Sequence, residues 1–223
     1  MTAAVMPELK NATQSLHDAT EHGTFNKELV MGRLPREAFV DLLGQFLVIH
    51  RELERHLRAA IAAHPAWKDV VLDYQFQEPY LREDLAYFGV DPESVEANPA
   101  TAEFVAQIEK YAATAPVGLL GIHYVFEGSN NGSRYIARAL RKAYDLADGG
   151  LRYFDPYGEN QHAYWGAFKE AMNAIDWSEE DRATLIESAC SAFEATGRLH
   201  QAMGKKYAVD RPAGQGCPAM RPS

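Results

Sequence analysis

The chain is expected to be all-α, a single domain of several helices around one core, and three observations predict it. Apolar residues recur at three- and four-residue intervals through most of the 223 residues, the period of a helix with one buried face. Stretches of strict apolar–polar alternation, the mark of half-buried strands, are hard to find. Hydrophobic residues make up 47% of the chain and charged residues 24%, which suffices for a substantial core under a solvated surface.

Each element has its own grounds. Residues 9–21 form a first amphipathic helix. Pro35-Arg36-Glu37 opens the second, because proline's fixed φ and missing N–H suit a first turn. That helix runs through Phe39, Leu42, Phe46, Ile49 and Leu53, a core stripe, until His64-Pro65 stops it. A shorter helix covers 80–88 and ends at Gly89. Another, 99–113, carries Phe104, Val105, Ile108 and Tyr111. Segments 117–126 and 133–147 both suit helices, but Gly128-Ser129-Asn130-Asn131-Gly132-Ser133 stands between them. Each glycine there costs a helix about 1 kcal/mol relative to alanine, so either a loop separates two helices or one helix is broken for a reason. Asp148-Gly149-Gly150 and Asp155-Pro156-Tyr157-Gly158 frame a loop. Helices resume over 162–174 and 178–203. Trp177-Ser178-Glu179-Glu180-Asp181 starts the last one, with Ser178 as N-cap and Asp181 as the reciprocal acid. There is no repeat and no break in composition. Residues 1–207 therefore form one domain, and 208–223, rich in proline and glycine, a disordered tail.

A net charge of -9 argues against a nucleic-acid partner, whose recognition needs a basic face. No apolar run approaches the roughly 18 residues that cross a bilayer, and MTAAVMPELK lacks the plan of a signal peptide. Two cysteines, Cys190 and Cys217, fit a reducing compartment. The expectation is a cytoplasmic protein with neither nucleic acid nor membrane as partner.

Chemistry must come from other residues. The eight histidines are 17, 22, 50, 56, 64, 123, 162 and 200. None has the H-E-x-x-H spacing of a zinc helix, and there is no C-x-x-C or phosphate loop. On the first helix, at about 100° per residue, Leu9, Thr13, Leu16 and Thr20 share a face, with His17 at its edge and Lys10 about 20° from it. A ligand-holding pair fits that spacing, and so does a core-edge histidine beside a solvated lysine. Gly128 and Gly132, four apart, leave one helix face bare. That permits close approach of backbone to a flat ligand, or to another helix. His50 is expected in the core and Phe193 in the core beside a pocket, while His56, His64, His162 and His200 are expected at the surface or in loops.

Together these features resemble the heme oxygenase family. LKNATQSLHDATEH (9–22) is similar to the family's first helix, L-K-x-A-T-x-x-x-H-x-x-A-E. LREDLAYFG (81–89) is similar to its D-L-x-x-[FWY] segment. FEGSNNGSR (126–134) resembles its distal helix, G-[DS]-x-x-G-G-Q. Order and spacing agree over residues 7–205. The resemblance implies a helical bundle with heme held between the first, proximal helix and a kinked, glycine-containing distal helix. It puts the iron ligand on His17 and the distal catalytic surface on Gly128, Ser129 and Gly132. The remaining heme contacts fall on Lys10, Lys169, Ser133 and either His123 or Tyr124. The implied activity is oxygen-dependent cleavage of heme, cofactor and substrate at once, to biliverdin, carbon monoxide and ferrous iron, with electrons from an external reductase or ferredoxin.

Several positions depart from the family pattern. Its paired glycines are Gly132-Ser133 here, the distal aspartate of animal members is Ser129, and a second first-helix lysine is Gln14. Glu21, one turn after His17, either orients the imidazole or is a solvated charge. Two alternatives stay open: a heme carrier or sensor without turnover, and a thiaminase-like or diiron enzyme on the same scaffold. A diiron site calls for Glu-x-x-His pairs on facing helices, and the chain has none. Cys217-Pro218 resembles a heme-regulatory dipeptide or is a chance pairing.

Overall fold

The computed structural model describes residues 4–209, among which there are α-helices, short 3-10 turns and no strand. The helices are α1 (Val5–His22), α2 (Thr24–Val30), α3 (Arg36–Ala63), α4 (Glu78–Tyr87), α5 (Pro99–Thr114), α6 (Gly118–Ala143), α7 (Gln161–Ala174) and α8 (Glu179–Lys206). Among the described residues no helix is long and apolar enough to cross a membrane. Residues 210–223, and Cys217-Pro218 with them, lie outside the described part. Val209 is half-buried, and its N–H donates to the Gly204 carbonyl at 2.9 Å.

Local chemistry accounts for most boundaries. Pro35 caps α3, and His64 ends it just before Pro65. The α8 start is a reciprocal box: Ser178 Oγ accepts from the Asp181 N–H at 3.1 Å, and Asp181 Oδ2 accepts from the Ser178 N–H at 3.3 Å. One helix, α2, has no counterpart among the elements expected from periodicity. Seven residues are too few for a period to show, and what holds α2 is tertiary: it buries Phe25 and Leu29.

The glycine-containing segment is neither a loop nor a break. α6 runs as one helix from Gly118 to Ala143, through all six helix-disfavouring residues. Packing overrides propensity, because Phe126, Asn130, Ser133, Ala137 and Leu140 are buried along it. Within the segment Ser129 Oγ donates to the Phe126 carbonyl at 2.7 Å, Asn131 Nδ2 to Gly128 at 2.9 Å and Ser133 Oγ to Ser129 at 2.9 Å. Such side-chain bonds to the helix's own carbonyls bend helices without ending them.

α8 is the spine of the bundle, with α1, α5 and α6 packed along it. Gly121 lets α6 approach, since a Cβ there would collide with Ser188 Oγ and the Leu185 carbonyl. α1 is fixed to α8 by Arg182 Nη1 donating to Glu8 Oε1 at 2.8 Å. It is fixed to α7 by the Met6 N–H donating to Asn173 Oδ1 at 3.0 Å. On the other side α3 packs against α4, α5 and α6. Asp84 of α4 is fully buried and takes the amides of Arg152 and Tyr153 at 2.7 and 2.8 Å. This gives the aspartate of LREDLAYFG a physical role: it pins the loop after α6 onto α4, which itself packs on α3.

Candidate functional site

His17 stands on the open side of α1, its side chain 48% exposed. Its ring meets the edge of Phe193 on α8, centroids 5.9 Å apart. Nε2 is 3.7 Å from Glu21 Oε1 and Nδ1 is 3.6 Å from Asp18 Oδ1, beyond hydrogen-bonding distance. His17, Asp18 and Glu21 form a cluster able to hold a metal ion. Lys10 is exposed, and Lys169 is half-buried with Nζ 5.9 Å over the Trp165 ring. The tie between Met6 and Asn173 lies at one end of both lysines' helices. A contact of α1 Thr13 with Tyr124, which stands 6.0 Å from Trp165, lies further along them. Lys10 and Lys169 sit between these two anchors, at one edge.

The other wall is α6. A Cβ on Gly132 would meet nothing within 4 Å, and one on Gly128 would only touch Trp165 at 3.5 Å. Packing within the protein therefore demands neither glycine, though each costs the helix about 1 kcal/mol. Ser129 is exposed and Ser133 buried. Both hydroxyl protons are committed to helix carbonyls, leaving oxygen lone pairs as acceptors. α1 and α6 both pack along α8, His17 meets Phe193 of α8, and Gly132 faces open space.

Not every expected residue gathers there. Tyr124 faces α1, but His123 turns inward, Nε2 3.3 Å from Gln75 Oε1 and its ring 5.7 Å from Phe168. Burial, and then the neighbouring His50, push its pKa down to about 3. His200, expected at the surface, is buried, with neither ring nitrogen hydrogen-bonded, 5.4 Å from Phe25. Its spacing of seven from Phe193 was the available signal, since that interval returns to the same helix face. His50 is core as expected, Nε2 3.1 Å from the Tyr153 hydroxyl. A cleft of about 330 Å³ opens on an adjacent face of α6 beside Arg134, Arg138 and His162. It is too polar and open for a flat apolar ligand.

The family model described as heme oxygenase matches residues 3–202. The chain belongs to the heme oxygenase family. It is 23% identical over 197 residues to heme oxygenase 2 of Rattus norvegicus, covering 83% of this chain and 61% of that protein. It therefore spans about three fifths of the length of such mammalian relatives. Against the heme oxygenase of Rhodella violacea it is 20% identical over 209 residues, 90% of this chain and 87% of that protein. The heme oxygenase fold is shared with heme oxygenase-1 of Synechocystis sp. PCC6803, solved in complex with heme. The TM-score is 0.84 at 20% identity, over 92% of this chain and 95% of that one.

Proposed function

We propose that the protein is a heme oxygenase in activity as well as in family, cleaving heme with oxygen to biliverdin, carbon monoxide and ferrous iron. Electrons come from an external reductase or ferredoxin. The observation that carries the reading is the unfilled space before Gly132, in a helix that accepts the cost of two glycines, with a half-exposed imidazole on the neighbouring α1. The charge of -9 and the two cysteines support a cytoplasmic setting without nucleic acid or membrane as partner.

Heme bound here supplies the redox centre and is the bond system that opens. The protein's residues do the rest. His17 would hold the heme iron through a ring nitrogen, and Glu21, 3.7 Å away, is placed to orient the ring after a small side-chain rotation. Gly128 and Gly132 would let the α6 backbone lie close to the heme with no side chain between them, so the helix itself would restrict which part of the ring oxygen can reach. Ser129 Oγ can accept a hydrogen bond from water but adds no charge, so it holds a proton carrier without acting as a base. Lys10 and Lys169 would neutralise the propionates, and Tyr124 and Trp165 would shield that edge from water.

Hemin titration tests the assignment. Wild type should give a histidine-ligated Soret spectrum, His17→Ala should lose it, and added imidazole should restore much of it by entering the cavity. A His17→Ala protein that keeps the ligated spectrum without imidazole would move the ligand elsewhere.

A further inference from the structure

The turn of α1 that carries His17 also carries Asp18 and Glu21. At about 100° per residue Glu21 falls between the other two, one turn further on. One ring nitrogen of His17 and one carboxylate oxygen each of Asp18 and Glu21 lie within 4.8 Å of one another. This is the one such cluster of possible metal ligands among the described residues. All three side chains are exposed, so they can close around an ion by rotating in solvent, with no packing to displace.

The charge of this turn is left open by two departures from the family pattern. Gln14 stands where the family has a second first-helix lysine, and its Nε2 donates to Asp18 Oδ1 at 2.8 Å. A lysine there would neutralise Asp18 from one turn away, whereas the amide leaves its charge intact. Asp18 itself fills a position that the family's first-helix motif leaves free. Among the described residues the ionic neighbour of both carboxylates is His17, at 3.6 and 3.7 Å, and neither has a lysine or arginine partner. Two uncompensated carboxylates thus flank one imidazole.

We propose that His17, Asp18 and Glu21 form a site for one divalent ion of the Fe²⁺ class, open when heme does not hold His17. One imidazole with two carboxylates suits Fe²⁺, Mn²⁺, Co²⁺ or Zn²⁺, and a divalent charge matches both acids. The use of the site rests on the proposed function. Ferrous iron is a product of that reaction and is set free beside His17, where Asp18 and Glu21 stand within reach. They hold it there until a chelator or acceptor takes it, so iron leaves later than it would without them. Because the imidazole is shared, hemin and a free divalent ion exclude each other.

The test uses the full chain free of heme, stripped with EDTA and titrated with Co²⁺ as spectroscopic probe. We expect one Co²⁺ per chain, a midpoint of thermal unfolding that rises with Co²⁺, and displacement of the ion by one equivalent of hemin. Asp18→Asn keeps the shape of a side chain not assigned to heme. It should weaken Co²⁺ about tenfold or more while the hemin titration changes little, and Gln14→Lys should weaken Co²⁺ as well. In single turnover with a ferrous-iron chelator present, Asp18→Asn should yield its iron sooner after biliverdin forms than wild type does. Absence of stoichiometric Co²⁺ binding in wild type, or equal Co²⁺ affinity in wild type and Asp18→Asn, would overturn the site. Equal iron release from the two proteins would overturn its use. Co²⁺ binding intact in a chain that takes no hemin would keep the site and overturn the heme reading instead.

Discussion

At the scale of single residues, glycines separate stability from function most cleanly. Gly132→Ala places a methyl where nothing stands within 4 Å and removes a helix-interior glycine, so the ligand-free protein should gain up to about 1 kcal/mol. Under the proposed function hemin affinity should fall, or the bilin isomers should shift, because the methyl would enter the space proposed for heme. Paired thermal melts and hemin titrations check this, and a variant that is less stable without hemin would mean the protein itself needs the glycine. The place of His17 at the edge of the buried face of α1 and the bare face at Gly128 and Gly132 were legible from helical spacing. For His200 the signal was weak: an interval of seven puts it on the Phe193 face, but the packing of α8 against α2 is what buries it.

At the scale of elements, α1 and α7 are tied together by the Met6 N–H donating to Asn173 Oδ1, and the proposed function puts a lysine of each at the heme edge. Lys10 and Lys169 are exposed or half-buried, and such ion pairs contribute only up to about 1 kcal/mol each. Apolar contact with a buried ring contributes more. Replacing both lysines with alanine should lower hemin affinity modestly and broaden the biliverdin isomer mixture, read by chromatography of the products. An unchanged isomer ratio would separate these lysines from the propionates. Strong local signals located α3 and α8 from sequence: Pro35 and Pro65, and the Ser178 box. α2 and the continuity of α6 were not locatable that way, since long-range burial supports the first and overrides poor propensity in the second.

At the scale of the whole molecule, buried acids and histidines pull stability opposite ways with pH. Burial first, then Glu54, hold Glu127 at about 8, well above its ordinary 4.5, against the pull of the Tyr157 hydroxyl. The folded state thus favours the proton, and stability falls as pH rises from the ordinary value through the raised one. His123 and His200, pushed by burial from 6.5 to about 3 and about 4, fold neutral, so their share is lost as pH falls below 6.5. The protein should therefore be most stable in mildly acid solution. Denaturant unfolding should show a decline between about pH 6 and 8 that flattens in Glu127→Gln; an equal decline in both proteins would clear Glu127 of that role. The overall helical bundle was legible from periodicity alone, whereas the cleft depends on α8 carrying α1 and α6 together. The most direct measurement of the central claim is single turnover of the hemin-loaded protein with ascorbate or a ferredoxin–reductase pair under oxygen. The expected result is loss of the Soret band with biliverdin and one carbon monoxide released per heme. A Soret band that persists without carbon monoxide would contradict the claim and leave a heme carrier.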